Sequence, residues 1–275
     1  MQHLSDILST INWRAAGTAL SVTATMGLAV ASAQSAPRDL SGSTVILVHG
    51  AFADGSSWSK VIPLLESRGL HVVAVQNPLS SLADDAAATK RAVDQQTGPV
   101  VLVGHSWGGA VITQAGDDPK VKALVYVAAF APDEGQSINS MTKPFPPAPW
   151  TAKLKVDSGG YLTLPEEAII SDFAQDLPRA EAKVVAATQG PWAARCLDDT
   201  ITVAAWKTKP SWYVLSGADH MIDPRFQAGM SANIKAKVVK LDSSHVAMLS
   251  HPKDVAKAII AAAESIAQPA VADAQ

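Results

Sequence analysis

Between residues 44 and 241 the chain alternates short apolar runs with Ala-rich amphipathic stretches, and this alternation constrains the fold more than any other feature. Thr44–Val48 (TVILV), His71–Val75 (HVVAV), Val100–Val103 (VVLV), Val121–Ala129 (VKALVYVAA), Ser211–Leu215 (SWYVL) and Lys237–Leu241 (KVVKL) read as strands. Their β-branched residues suit a pleated surface. Runs that are apolar on both faces belong to a parallel sheet covered on both sides. The helical pattern falls at Ser57–Arg68, Ala83–Gln96, Ala110–Ala115, Pro224–Ala232 and Pro252–Ala267. Gly69 stops the first of these, and Asp84 and Asp85 open the second, where the helix dipole favours acids. Parallel strands joined through helices need right-handed crossovers. The expectation is an α/β fold with a mostly parallel sheet of about six strands flanked by helices.

One stretch, about Glu134 to Lys209, breaks the rhythm. It holds Lys143-Pro144-Phe145-Pro146-Pro147-Ala148-Pro149-Trp150 and helical patterns at Pro165–Phe173 and Pro178–Gln189. It reads as an insertion over one edge of the sheet, too short and Pro-rich to be an independent domain. The start of the chain also stands apart. Ala15–Ala31 carries no charge and leads into Ala31-Ser32-Ala33, a small-x-small site of the kind signal peptidase cuts. The stretch is short and rich in Ala, Thr and Ser, which argues against a stable membrane span. Residues 1–33 are expected to be a cleaved signal peptide and 34–275 a single domain, with a frayed tail after Gln268. The mature protein would then be periplasmic or secreted. Export would expose the lone Cys196 to an oxidising compartment, so its thiol is expected to be buried.

Composition removes other classes. At 48% hydrophobic and 17% charged, the 275-residue chain is too apolar to be disordered. A net charge of −3 offers no footprint for nucleic acid. One Cys permits neither an internal disulfide nor a Cys-rich zinc site, and no metal site is expected.

The chemistry centres on Gly104-His105-Ser106-Trp107-Gly108-Gly109, which follows the strand VVLV and opens a helix. G-x-S-x-G is weak as a pattern alone, but this strand–turn–helix setting is where a nucleophile elbow forms. Small flanking residues tolerate the strained turn. A serine hydroxyl needs a base, and His245, after the final strand, is the choice. Among the other histidines His105 is expected to point away from the serine, His49 to brace its own loop, and His71, His220 and His251 to be structural. The base needs a carboxylate. Asp219, directly after SWYVLSGA, leads; Asp223, which could instead cap a helix, and Asp133 are alternatives. Oxyanion donors are expected from the backbone N–H of Trp107 and of Ala51, with Phe52 as runner-up.

Four segments, VILVHGAFADGSSW, VVLVGHSWGGAVI, YVLSGADHMIDPRFQ and LDSSHVAMLSHP, together resemble the α/β-hydrolase superfamily from Thr44 to Ala267. They are most similar to small bacterial carboxylesterases and to the plant methyl esterase and hydroxynitrile lyase branch. The resemblance favours Asp219 over Asp223 and implies that 134–209 is a helical cap over the active site. It implies a cofactor-free serine hydrolase acting on small carboxylic esters through an acyl-enzyme. Phe52, Trp107 and Trp150 are expected in the pocket wall, with Phe173 and Trp192 as further cap candidates. A lyase of that branch has Thr after its oxyanion-loop His and Lys after its catalytic His. Here Gly50 and Val246 stand there, against the lyase alternative. A non-enzymatic ligand receptor on the same fold, and a homodimer, stay open.

Overall fold

The computed structural model describes residues 38–267. The expected signal peptide and the tail after Gln268 lie outside them. The strands, in chain order, are β1 (Thr44–Val48), β2 (His71–Val75), β3 (Val100–His105), β4 (Val121–Val127), β5 (Lys155–Val156), β6 (Tyr161–Thr163), β7 (Trp192–Ala193), β8 (Ser211–Ser216) and β9 (Lys237–Leu241). Six of them form the parallel sheet in the order β2-β1-β3-β4-β8-β9. Every residue of β1, β3 and β8 is buried, as continuous apolar runs require when helices cover both faces. β9 is an edge strand and mostly exposed, and its Lys237 and Lys240 discourage pairing with another chain.

Helices Leu82–Asp94, Trp107–Ala115, Pro224–Asn233 and Pro252–Ile266 fall where the periodicity places them. Ser81 caps the first by accepting from the Asp84 N–H, and Asp223 caps the third by accepting from the Arg225 N–H. Two expectations need correction. Ser57–Arg68 is not one helix: a 3₁₀ turn at Gly55–Trp58 is followed by a short α-helix, Ile62–Glu66. The Asp54 side chain accepts from the Ser56 N–H and starts the tight turn early, and Pro63 sits at the start of the α-helix, where its missing N–H costs nothing. The fourth strand stops at Val127 rather than Ala129, because Ala128 turns to φ 44°.

The 134–209 segment also departs from expectation. Beside its helices it carries a three-stranded antiparallel sheet, β5-β6-β7. Nor does it sit over one edge of the main sheet. The Ala193 N–H donates to Leu79 O after β2, and the Trp206 indole to Pro132 O after β4. The Trp150 indole donates to Met221 O and Gln175 Nε2 to Ala218 O, both after β8, and Asp176 accepts from the Ser244 N–H after β9. The segment therefore spans the carboxyl ends of strands from one side of the sheet to the other, where ligands bind in open α/β folds. Cys196 lies inside it with no exposure, and burial pushes its thiol up to about 12.

Candidate active site

Ser106 occupies the turn between β3 and the helix Trp107–Ala115, with φ 54° and ψ −121°. A non-glycine residue there is strained by about 1–3 kcal/mol, and its surroundings must hold it. The end of β4 does so: the Ser106 N–H donates to Val127 O at 3.2 Å and the Phe130 N–H donates to Ser106 O at 3.1 Å. The glycines explain why the motif reads as it does. A methyl on Gly104 would lie 2.4 Å from the Gly108 carbonyl oxygen, so the sharp turn excludes any larger residue. A methyl on Gly50 would lie 2.6 Å from Ser106 Cβ, which brings the loop after β1 directly against the serine.

His245, in the loop after β9, is buried, and its Nδ1–H donates to Asp219 Oδ2 at 2.8 Å. Asp219 is itself saturated. Its Oδ1 accepts from the Met221 and Ile222 N–H groups at 2.7 and 3.0 Å, and its Oδ2 also accepts from Gln227 Nε2 at 2.7 Å. That network fixes the carboxylate and, through it, the tautomer and plane of the imidazole. The alternatives lie elsewhere. Asp223 is at the surface, paired with Arg225 at 2.6 Å, and Asp133 pairs with Lys207 at 2.6 Å. No hydrogen bond joins Ser106 Oγ to His245 Nε2 among the described residues.

The backbone N–H groups of Ala51 and Trp107 likewise have no acceptor among the described residues, and the same holds for Phe52. Ala51 follows Gly50, whose backbone touches Ser106, and Trp107 opens a helix, where N–H groups face outward and the dipole favours negative charge. Phe52 adopts φ 57°, a second strained position, two residues after Gly50.

The residues expected in the pocket wall form one aromatic cluster. Phe52 meets Trp150 edge-on at 6.1 Å and Trp192 at 5.8 Å, and Trp192 packs on Trp107 at 5.5 Å. Phe173, in a π-helical turn at Ile169–Phe173, sets its ring 5.1 Å from that of His245. Such turns recur at functional sites.

Two further histidines hold the loops around the site. His49 braces its own loop as expected. Its Nε2 accepts from the Asn77 N–H at 2.9 Å, so its Nδ1 carries the proton and donates to Gly50 O at 2.9 Å. Burial holds its pKa below the ordinary imidazole value. His105 is the residue that position along the strand misses. Its side chain reaches His245, where Nε2–H donates to the backbone carbonyl at 3.0 Å. Burial, followed by the proximity of His245, keeps it well below the usual imidazole range, so it stays neutral and pins the loop that carries His245. Its partner lies 140 residues away, and no local pattern announces it. Among the described residues no group of three or more His, Cys, Asp or Glu side chains gathers as a metal site would need. No helix among them is long and apolar enough to cross a membrane.

The family model of the alpha/beta hydrolases matches residues 45–258, and the chain belongs to that family. It is similar to methylesterase 8 of Arabidopsis thaliana, 24% identical over 245 residues that cover 80% of this chain and 89% of that one. It also resembles the alpha-hydroxynitrile lyase of the same plant, 36% identical over 103 residues, 32% of this chain and 40% of the other. Among solved structures, an extracellular α/β-hydrolase from a Paenibacillus species superposes with a TM-score of 0.69 at 20% identity, over 80% of this chain and 98% of that chain. The fold is thus the α/β-hydrolase fold, and the chain is similar in sequence to a plant methylesterase and, over a shorter stretch, to a hydroxynitrile lyase.

Proposed function

We propose that the protein is a cofactor-free serine esterase that cleaves small to medium apolar carboxylic esters through an acyl-enzyme. The observation that carries this reading is the buried Asp219–His245 pair, 2.8 Å apart, with the His245 loop tied at 3.0 Å to His105, the residue before a serine held at φ 54°. Ser106 Oγ attacks the ester carbonyl carbon while His245 Nε2 takes its proton. The Asp219 carboxylate stabilises the imidazolium that forms. The oxyanion accepts from the N–H groups of Ala51 and Trp107, neither of which has another acceptor among the described residues. As the C–O bond breaks, His245 returns the proton to the leaving alcohol. Water, deprotonated by the same imidazole, then attacks the acyl carbon and releases the acid and Ser106.

The aromatic cluster of Phe52, Trp107, Trp150 and Trp192 supports an apolar substrate. Two cap cations are engaged elsewhere, Arg179 with Glu167 at 2.6 Å and Lys183 with Glu166 at 3.2 Å. Neutral esters should therefore outperform charged ones. The lyase alternative loses support because Val246, buried beside His245, supplies no cation for a leaving cyanide. The domain reading is 34–275 as one α/β-hydrolase domain with a cap at about 134–209. Its location is read as periplasmic or secreted, from the uncharged Ala15–Ala31 run and the Ala31-Ser32-Ala33 site.

Ser106→Ala should lower kcat by about 10³-fold or more with the fold intact, and a fluorophosphonate probe should label the wild type and not the variant. Labelling that persists in Ser106→Ala overturns the reading. Each methylene buried from the substrate contributes about 0.8 kcal/mol, so kcat/KM should rise several-fold per carbon until the chain outgrows the cap. Acetate esters preferred over butyrate esters, in both acyl and alcohol series, would contradict the pocket inferred.

A further inference from the structure

The helix Leu82–Asp94 buries a carboxylate that the proposed chemistry does not use. Asp85 has no exposure to solvent, and both of its oxygens are committed. Oδ2 accepts from the Trp107 indole Nε1–H at 2.8 Å, and Oδ1 accepts from the Leu79 N–H at 2.8 Å. An ionisable side chain is kept fully buried only where the groups it holds are worth its desolvation.

What it holds is specific. Trp107 is the residue directly after Ser106, and its own N–H is one of the two proposed oxyanion donors. Leu79 stands at φ 58°, a conformation that a branched side chain rarely adopts and that the Asp85 hydrogen bond helps to hold. The carbonyl of this same Leu79 accepts from the Ala193 N–H of β7 at 2.8 Å. The loop is tied onward to the oxyanion segment: Asn77 Nδ2 donates to His49 O at 2.8 Å, and the Asn77 N–H donates to His49 Nε2 at 2.9 Å. The neighbour of Ala193, Trp192, packs on the Trp107 ring at 5.5 Å. The elbow, the loop after β2 and the cap strand β7 thus meet on one carboxylate.

We propose that Asp85 is a positioning residue, which acts through the Trp107 indole to fix the oxyanion-hole backbone and through Leu79 to seat the cap strand over it. The inference rests on the serine-esterase reading of Ser106. A carboxylate suits the task because it only accepts, and both groups that reach it are N–H donors. An amide of the same shape would turn its NH₂ toward one of them, and two donors would face each other in a dry site.

The test is a double-mutant cycle of Asp85→Asn and Trp107→Phe, with Ser106→Ala as control, on p-nitrophenyl butyrate. Asp85→Asn should lower kcat at least tenfold with KM changed less than threefold, since the defect lies in the transition-state donor more than in ground-state binding. In the Trp107→Phe background the same substitution should lower kcat less than threefold, because its main lever is already gone. An Asp85→Asn enzyme within twofold of wild-type kcat, or an equal loss in both backgrounds, overturns the proposal. If Asp85→Asn fails to fold, Trp107→Phe decides alone: it keeps the Leu79 contact, and a kcat within twofold of wild type overturns the proposal. The control separates the two readings. Activity surviving in Ser106→Ala defeats the serine mechanism itself, whereas an inactive Ser106→Ala beside an unaffected Asp85→Asn defeats only the role of Asp85.

Discussion

Asp219 and Asp223 lie four residues apart after the same strand, and their surroundings alone separate them. Asp219 is enclosed by two backbone N–H groups, an amide and an imidazole, whereas Asp223 caps a helix at the surface and pairs with Arg225. Asp219→Asn should therefore lower kcat by about 10³-fold or more, through loss of the imidazolium's partner and of the correct tautomer. Asp223→Asn should keep kcat within about twofold, and any cost should appear in urea melts as about 1 kcal/mol or less, because Asn also caps helices well. The reverse pattern in steady-state kinetics would transfer the orienting role to Asp223. Part of this is legible in the sequence: chain order after particular strands selects Asp219 and His245 as partners, and they lie 2.8 Å apart. The roles of His105 and Asp85 are not legible there. Each depends on a partner distant in sequence, His245 O for one and Trp107 Nε1 for the other, and neither contact leaves a periodic or spaced trace.

The six strands of the main sheet announce themselves, since each is a short run rich in β-branched and apolar residues, broken only by Lys122 in β4 and by the lysines of the edge strand β9. The strands of the small sheet do not: β5 and β7 have two residues each and β6 has three, too few for any alternation to register. The π-helical turn at Ile169–Phe173 is equally silent, as the pattern from Pro165 to Phe173 reads as one ordinary helix. Among these elements β7 connects most widely, because Trp192 packs on both Phe52 and Trp107. Trp192→Ala should open a cavity between cap and elbow and cost about 3–5 kcal/mol of unfolding free energy. Denaturant titration measures that cost. Ester kinetics should show a raised KM for long acyl chains, and an unchanged chain-length profile would remove Trp192 from the pocket wall.

At the scale of the whole molecule, buried ionisable groups link folding to solution conditions. Burial, offset in part by hydrogen bonds from Trp107 and Leu79, pushes Asp85 up to about 6 from an ordinary value of 3.8, with Asp84 and Asp199 adding repulsion. The folded chain thus binds this proton more tightly than the unfolded chain, so stability declines as pH rises from about 4 to about 6 and levels off above. The amplitude is on the order of 3 kcal/mol, and Asp85→Asn should abolish it. Melting temperatures from pH 4 to 7.5 should show the wild type losing ground to Asp85→Asn as pH increases, and parallel curves would refute the linkage. Cys196 has a different consequence. The chain's single thiol is fully buried and pushed up to about 12, so near neutral pH the reactive thiolate is scarce and shielded. The native protein is, in practice, a cysteine-less background. A cysteine placed at an exposed position such as Val184 should take up maleimide stoichiometrically while Cys196 stays silent until urea is added. Dyes or spin labels could then be attached at chosen points around the cap without first removing the native thiol.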